Sequence, residues 1–338
     1  MKICICGGGN LGHVIAGFVA SRHEHEVVLL TRHPERWSHQ LSIETPEGKS
    51  LSGTLSGIFS DSHQALENAD IVLLCMPGFA IAETLRQIKD DLCPSTPVGS
   101  VVSNTGFFFQ ALNILPASQP LFGFQRVPFI SRTIEYGHRA RLMGYKSNLN
   151  VAIEHMDEPE SLRSRLESLF CTPVNLLGSY YEASLSNSNP LLHPARLYTL
   201  WKDWHEGITY TRIPLFYEEW TEEAADLYIT MDQELQALLR ELPIRPDSIP
   251  SVLDYYESTD APSLARKLQS ITAFKGIQAP MRITAEGYVP DFHSRYFTED
   301  FPYGLAIIER VAKANHISTP TISTICRWGE NVLKNHQG

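Results

Sequence analysis

The chain opens with short apolar runs alternating with helix-spaced apolar positions. Residues 2–6 form a run of the first kind. Over 10–21 the apolar residues Leu11, Val14, Ile15, Phe18 and Val19 recur at the three- and four-residue spacing of a helix face. Further apolar runs occupy 26–30, 71–76, 97–103 and 120–125, and 80–88 carries a second helix face. Continuous apolar strands alternating with helices predict a parallel sheet covered on both sides. Residues 139–143 and 149–154 read as two strands separated by Gly144-Tyr145-Lys146-Ser147. A helix over 159–170 and a last strand over 173–177 follow.

Past a boundary in 178–184 the strand signals become scarce. Helical spacing fills 195–204, 218–241, 263–274, 303–315 and 319–333. In the last of these, Thr319 is the expected N-cap, with Pro320 at the first helical position. The predicted fold class is therefore α/β. A doubly wound sheet occupies residues 1–180 and a mostly α-helical domain occupies 181–338.

Composition narrows the partners. Apolar residues at 43% and charged residues at 20% fit a folded chain and exclude a disordered one. Lys and Arg number 28 against 38 Asp and Glu, and the net charge of −10 argues against a phosphate-binding nucleic-acid partner. The longest apolar candidate, 69–82, is broken by Pro77-Gly78 and falls short of the ~18–20 residues of a membrane span. Strand-like sequence from Lys2 leaves no room for a leader. The six cysteines are scattered without a C-x-x-C, so neither a disulfide framework nor a metal site is expected. Cys4 and Cys6 read as small buried hydrophobes, and the expected compartment is a reducing cytoplasm.

The chemistry begins at Gly7-Gly8-Gly9-Asn10-Leu11-Gly12, a G-x-G-x-x-G that follows a strand and opens a helix. That context is the one a Rossmann-type dinucleotide site requires. Gly7 allows the tight turn, Gly9 lets the backbone approach a pyrophosphate, and Gly12 lets helix and strand pack closely. The helix start, with Asn10 and Leu11, offers unpaired N–H groups to phosphate. The second strand runs into Thr31-Arg32-His33, with no carboxylate where a ribose 2′-hydroxyl is usually bound. Arg32 is suited to a 2′-phosphate, which favours NADP(H); Glu35, slightly further on, leaves NAD open. Met76 and Pro77 end a strand at the same edge and are expected against the nicotinamide or ribose.

Among thirteen histidines, His23 and His25 lie in a polar helix–strand connection, and His33, His39 and His63 have similarly polar surroundings. His193 is flanked by Pro190 and Pro194, and Pro194 lacks the N–H that a helix interior needs. The helix is therefore expected to start or kink there, which sets the imidazole at an irregular point suited to acid–base work. Asp300 and Arg295 lie in a dense polar and aromatic segment before an apolar helix. Capping by Asp300 and a surface pair of Arg295 with Glu299 are the plainer alternatives.

These pieces, taken together in order and spacing, resemble the opine dehydrogenase family (octopine and nopaline dehydrogenases and their bacterial relatives). The resemblance rests on Gly7 to His13, on Gln125-Arg126-Val127-Pro128-Phe129 with Arg132, Glu135-Tyr136-Gly137 and Lys146, on Asn189 with His193-Pro194, and on Arg295-Tyr296 with Glu299-Asp300 and Pro302 to Leu305. It implies an NAD(P)H-dependent oxidoreductase that reduces the imine formed between an amino acid and an α-keto acid. His193 then resembles the catalytic histidine and Asp300 its carboxylate partner. Arg295 resembles the arginine that holds a substrate carboxylate, and Gln125 and Asn189 fall in substrate-binding stretches. Tyr145 stands where the family has a small residue before Lys146. Reactants from two domains imply closure of a cleft. Two other readings stay open: a related two-domain reductase of a small acid, like ketopantoate or glycerol-3-phosphate reductases, and a non-catalytic NADP-binding sensor. Nothing in the sequence requires or forbids a homodimer.

Overall fold

The computed structural model describes residues 1–336, and the chain divides into two compact units, one ending at Ser186 and the other beginning at Asn187. In the first unit, chain order is β1 (Lys2–Cys6), α1 (Asn10–Ala20), β2 (Glu26–Leu30), β3 (Gln40–Glu44), β4 (Ser50–Thr54), β5 (Gly57–Phe59), α2 (Ser62–Leu66), β6 (Ile71–Leu74) and α3 (Gly78–Ile88). Then come β7 (Val98–Ser100), α4 (Phe107–Ile114), β8 (Leu121–Phe124), β9 (Phe129–Glu135), β10 (Arg139–Tyr145), β11 (Leu149–Glu154), α5 (Pro159–Phe170), β12 (Val174–Leu176) and α6 (Tyr180–Leu185). The main sheet has eight strands in the order β12-β11-β8-β7-β6-β1-β2-β5, parallel except where β11 meets β8. Residues alternate across β1: Ile3 and Ile5 enter one core layer, while Cys4 and Cys6 enter the layer opposite, and all four are buried. A strand sunk on both faces must be apolar at every position, which is why these runs stood out.

Strand order reverses between β1 and β6, so the turns after them sit side by side at the carboxyl edge of the sheet. Open α/β sheets bind ligands at such a reversal.

A second sheet, β4-β3-β10-β9, went unpredicted apart from β10. Its strands are short and half-exposed, and it rests on α1, where a Cβ added at Gly17 would come within 2.5 Å of Ile43. Gly144 and Tyr145, expected in a connection, pair with Ile130 and Phe129 and prolong β10 past a register shift. The next strand, β11, joins the main sheet instead. α6 belongs with the first unit: Ala183 is part of its core, and Glu182 accepts a hydrogen bond from Gln125 through its carbonyl.

The second unit holds α7 (Asn189–Trp201), α8 (Glu222–Leu239), α9 (Val252–Tyr255), α10 (Ala261–Ser270), a hairpin of β13 (Met281–Thr284) and β14 (Gly287–Pro290), and α11 (Arg295–Thr298). A π-helical turn at Phe301–Leu305 leads into α12 (Ala306–Ala314), and α13 (Pro320–Asn335) follows. α7 corrects the expected start at 195. It begins at Asn189, with Pro190 in its first turn, and carries Pro194 inside. Thr319 is the N-cap residue of α13 but makes no side-chain cap. Glu234 of α8 replaces it, its two carboxylate oxygens accepting from the N–H groups of Thr321 (2.8 Å) and Ile322 (2.9 Å). No helix among the described residues is long and apolar enough to cross a membrane.

Candidate functional site

The glycine turn lies at the reversal in the first unit. Gly7 has φ +108°, which favours glycine, and a Cβ there would press on the Cys75 carbonyl at 2.7 Å. At Gly12 a Cβ would stand 2.0 Å from the Gly7 carbonyl, so helix and turn meet only because Gly12 lacks a side chain. Gly9 faces open space and caps α1 without a side-chain hydrogen bond, and the first turn of α1 holds no acidic residue. Backbone N–H groups of that turn are left for an anion. The turn borders a cavity of about 370 Å³, and Gly7, Gly9, Arg32, Met76 and Pro77 all line it. These features fit a dinucleotide. Asn10, Leu11 and Gly12 do not line it. The Asn10 side chain instead accepts from the Thr133 N–H at 2.9 Å, tying α1 to β9, and Leu11 packs against the core. Glu35 is drawn into an exposed pair with His33 and lies outside the lining.

Two residues without an assigned role support the turn. His13 is buried on α1: its Nδ1 lies 3.1 Å from the Gly9 carbonyl, and its Nε2 accepts the Gly137 N–H at 2.6 Å. The ring packs on Trp37 and Tyr136, and Tyr136 reaches the cavity wall. An acceptor Nε2 requires the neutral ring, and burial pushes the His13 pKa below its ordinary value.

The second unit gathers a polar cluster around His193, which is 6% exposed. Its Nδ1 lies 2.7 Å from Asp300 Oδ2, and its Nε2 lies 2.9 Å from the Tyr217 hydroxyl. Tyr296 stands edge-on to the imidazole, with ring centres 4.4 Å apart. Asp300 heads the π-helical turn without capping it through its side chain, so its carboxylate is left to the histidine. A carboxylate only accepts, so the neutral ring carries its proton on Nδ1 and keeps Nε2 for proton exchange. Tyr217 comes from the irregular segment after α7. Arg196, three residues past His193, is buried and donates to the carbonyls of Phe216 (3.1 Å) and Glu219 (2.7 Å), which fastens that segment to α7. Burial lowers the Arg196 pKa to about 10. No motif pointed to Tyr217 or Arg196.

Other expected substrate residues are less gathered. Arg295 is exposed, and its guanidinium pairs with both oxygens of Glu299 at 2.8 Å; Asp300 lies close enough to add its charge to the field that raises the Arg295 pKa. Gln125 is half-buried in the first unit, accepting from the Asn150 side chain at 2.9 Å. Asn189 opens α7. Trp201 and Trp220 are core residues at 2% exposure.

Residues 176–333 match the family model described as NAD/NADP octopine/nopaline dehydrogenase, alpha-helical domain. In its helical unit, and at 29% identity along the chain, the protein is similar to the opine dehydrogenase family. Residues 2–102 match a second model, NADP oxidoreductase coenzyme F420-dependent. An opine dehydrogenase of Haliotis discus hannai is 29% identical, covering 98% of this chain and 90% of its own. An octopine dehydrogenase of Mizuhopecten yessoensis matches at the same identity and coverage. A solved octopine dehydrogenase with NADH and L-arginine superposes with a TM-score of 0.87 at 26% identity, over 99% of this chain and 90% of that one. Members of the family are NAD(P)-dependent oxidoreductases.

Proposed function

We propose that this protein joins the amine of an amino acid to the carbonyl of an α-keto acid and reduces the resulting imine to a secondary amine, with NADPH as the preferred reductant. The observation that carries the reading is the Asp300–His193–Tyr217 set at 2.7 and 2.9 Å, in a chain whose other unit holds the glycine turn. Solved octopine dehydrogenases bound to NADH with L-arginine or with pyruvate support these substrate classes. When bound, the reduced nicotinamide supplies a hydride for the imine carbon.

The chain's own residues do the proton work. His193 Nε2 takes a proton from the amino acid's ammonium, freeing the amine to attack the keto carbon. It then returns a proton to the carbinolamine hydroxyl, which leaves as water. Asp300 holds the ring orientation and offsets the imidazolium charge between those steps. Arg295 binds a substrate carboxylate, which takes over the bidentate partnership now held by Glu299. Arg32 on the cavity wall, with Glu35 engaged elsewhere, supports the preference for a 2′-phosphate.

The test is a cofactor-oxidation screen with NADPH and NADH, pyruvate and other keto acids, and a panel of amino acids. Oxidation that requires both an amino acid and a keto acid, that runs faster with NADPH, and that is lost in His193→Ala is the expected outcome. Oxidation with a keto acid alone, or none with any pair, would count against the reading.

A further inference from the structure

Tyr136 lies between β9 and β10 of the second sheet, yet it stands at the glycine turn of the first. A Cβ added at Gly8 would come within 3.0 Å of the Tyr136 hydroxyl and 2.7 Å of the Trp37 ring. Gly8 fills a position that the G-x-G-x-x-G pattern leaves open, and its φ is not positive. Glycine there answers to these two side chains and not to the turn. The next residue along fixes the tyrosine's place. Gly137 has φ +78°, and a Cβ on it would stand 1.9 Å from the Arg36 carbonyl. Its N–H donates to His13 Nε2 at 2.6 Å, and its carbonyl accepts from the Ser38 N–H at 2.9 Å. The Tyr136 ring is gripped as well. The Arg36 guanidinium lies 4.5 Å from its centre, and the rings of His13 and Trp37 meet it edge-on at 5.1 and 5.5 Å. The hydroxyl has no hydrogen-bond partner among the described residues, and Tyr136 lines the cavity together with Gly7, Gly8 and Gly9.

We propose that Tyr136 is a cofactor-binding residue whose hydroxyl donates to the pyrophosphate that the glycine turn receives. The inference rests on the dinucleotide part of the functional reading and deepens it. The turn and the start of α1 offer backbone N–H groups to a pyrophosphate. A phenol held beside Gly8 adds a side-chain donor from the second sheet. Its acceptor would be an anion, and a hydrogen bond to a charged oxygen is stronger than one between neutral groups. The Arg36 guanidinium on the face of the ring brings a positive charge to the same place. The ring enters the cavity already held by Arg36, His13 and Trp37, so binding has little side-chain freedom left to remove. A pyrophosphate is common to NADPH, NADH and ADP-ribose. Tyr136 therefore adds affinity for all three, and the choice between the two reductants is left to Arg32.

Tyr136→Phe keeps the ring and its contacts and removes the donor. In the full-length protein, calorimetry gives Kd for NADPH, NADH, ADP-ribose and adenosine 2′-monophosphate. The last of these carries the 2′-phosphate without a pyrophosphate. The first three are expected to weaken by a common factor of about ten. Adenosine 2′-monophosphate is expected to bind as it does to the wild type. The melting midpoint without ligand stays at the wild-type value, which separates a lost contact from a damaged turn. An unchanged Kd for ADP-ribose, in a wild type that binds it, overturns the proposal alone. A loss confined to NADPH and adenosine 2′-monophosphate places the hydroxyl at the 2′-phosphate and overturns it as well. So does an equal loss for all four with a lowered melting midpoint, the mark of a disturbed turn. A wild type that binds none of the four sinks the dinucleotide reading, and the proposal falls with it.

Discussion

A histidine's role is set by what each of its nitrogens meets, and His13 and His193 show this within one chain. At His193 the Nδ1 partner is a carboxylate, which tolerates both protonation states. At His13 the Nε2 partner is the backbone N–H of Gly137, a donor that a protonated ring cannot accept. His138 adds like-charge pressure, and the other faces of the ring are covered by Trp37 and by Tyr136, itself stacked under Arg36. The folded-state pKa of His13 is therefore depressed, whereas the unfolded ring titrates near its ordinary 6.5. The unfolded chain then binds the extra proton first. The contribution of His13 is whole above pH 6.5 and is lost as the pH falls below that toward the folded-state value. Urea midpoints measured between pH 7.5 and pH 5.5 (about one unit to either side of the free histidine value) are expected to fall with pH. The slope should be shallower in His13→Gln. Equal slopes in the two proteins would mean that His13 takes up its proton without disturbing the Gly137 contact.

Among the elements, α13 separates what local sequence reveals from what it hides. Thr319-Pro320 correctly marked where the helix starts, since a proline at the first helical position is a local signal. The group that satisfies the exposed N–H groups is Glu234, 87 residues away from Thr321, and no local pattern could reveal it. Glu234→Ala is expected to cost about 1–2 kcal/mol of stability. Thr319→Ala should cost much less, because that hydroxyl makes no cap. Urea unfolding of the two variants checks the order, and the reverse order would return the cap to Thr319. The same divide runs through the rest of the fold. Ile71–Leu74 was legible because burial on both faces demands four apolar residues in a row. β3 and β4 were not, because strands such as Ser50–Thr54 bury little and depend on glycines where they approach α1. His193, Asp300 and the glycine turn were readable as residues of distinctive type and spacing. Tyr217 was not, for it lies in an irregular segment whose position depends on Arg196 gripping two backbone carbonyls.

In the molecule as a whole, the two kinds of chemistry belong to different units. Every residue lining the cavity beside the glycine turn precedes Ser186, and every member of the Asp300–His193–Tyr217 set follows Asn187. Groups that share no partner contribute independently. Substitutions in the second set should therefore remove catalysis without touching cofactor affinity. Asp300→Asn keeps the shape of the side chain but replaces an acceptor-only group with one that can also donate, so the imidazole is no longer held as the Nδ1–H tautomer. Turnover should fall by about 10²–10⁴. NADPH at about 100 times its Kd is expected to stabilise the variant and the wild type alike, by about 2.7 kcal/mol. Calorimetric or fluorescence melts with and without NADPH measure this directly. A variant that loses turnover and the NADPH-induced shift together would show that the carboxylate supports cofactor binding, and the division of labour between the units would then be wrong.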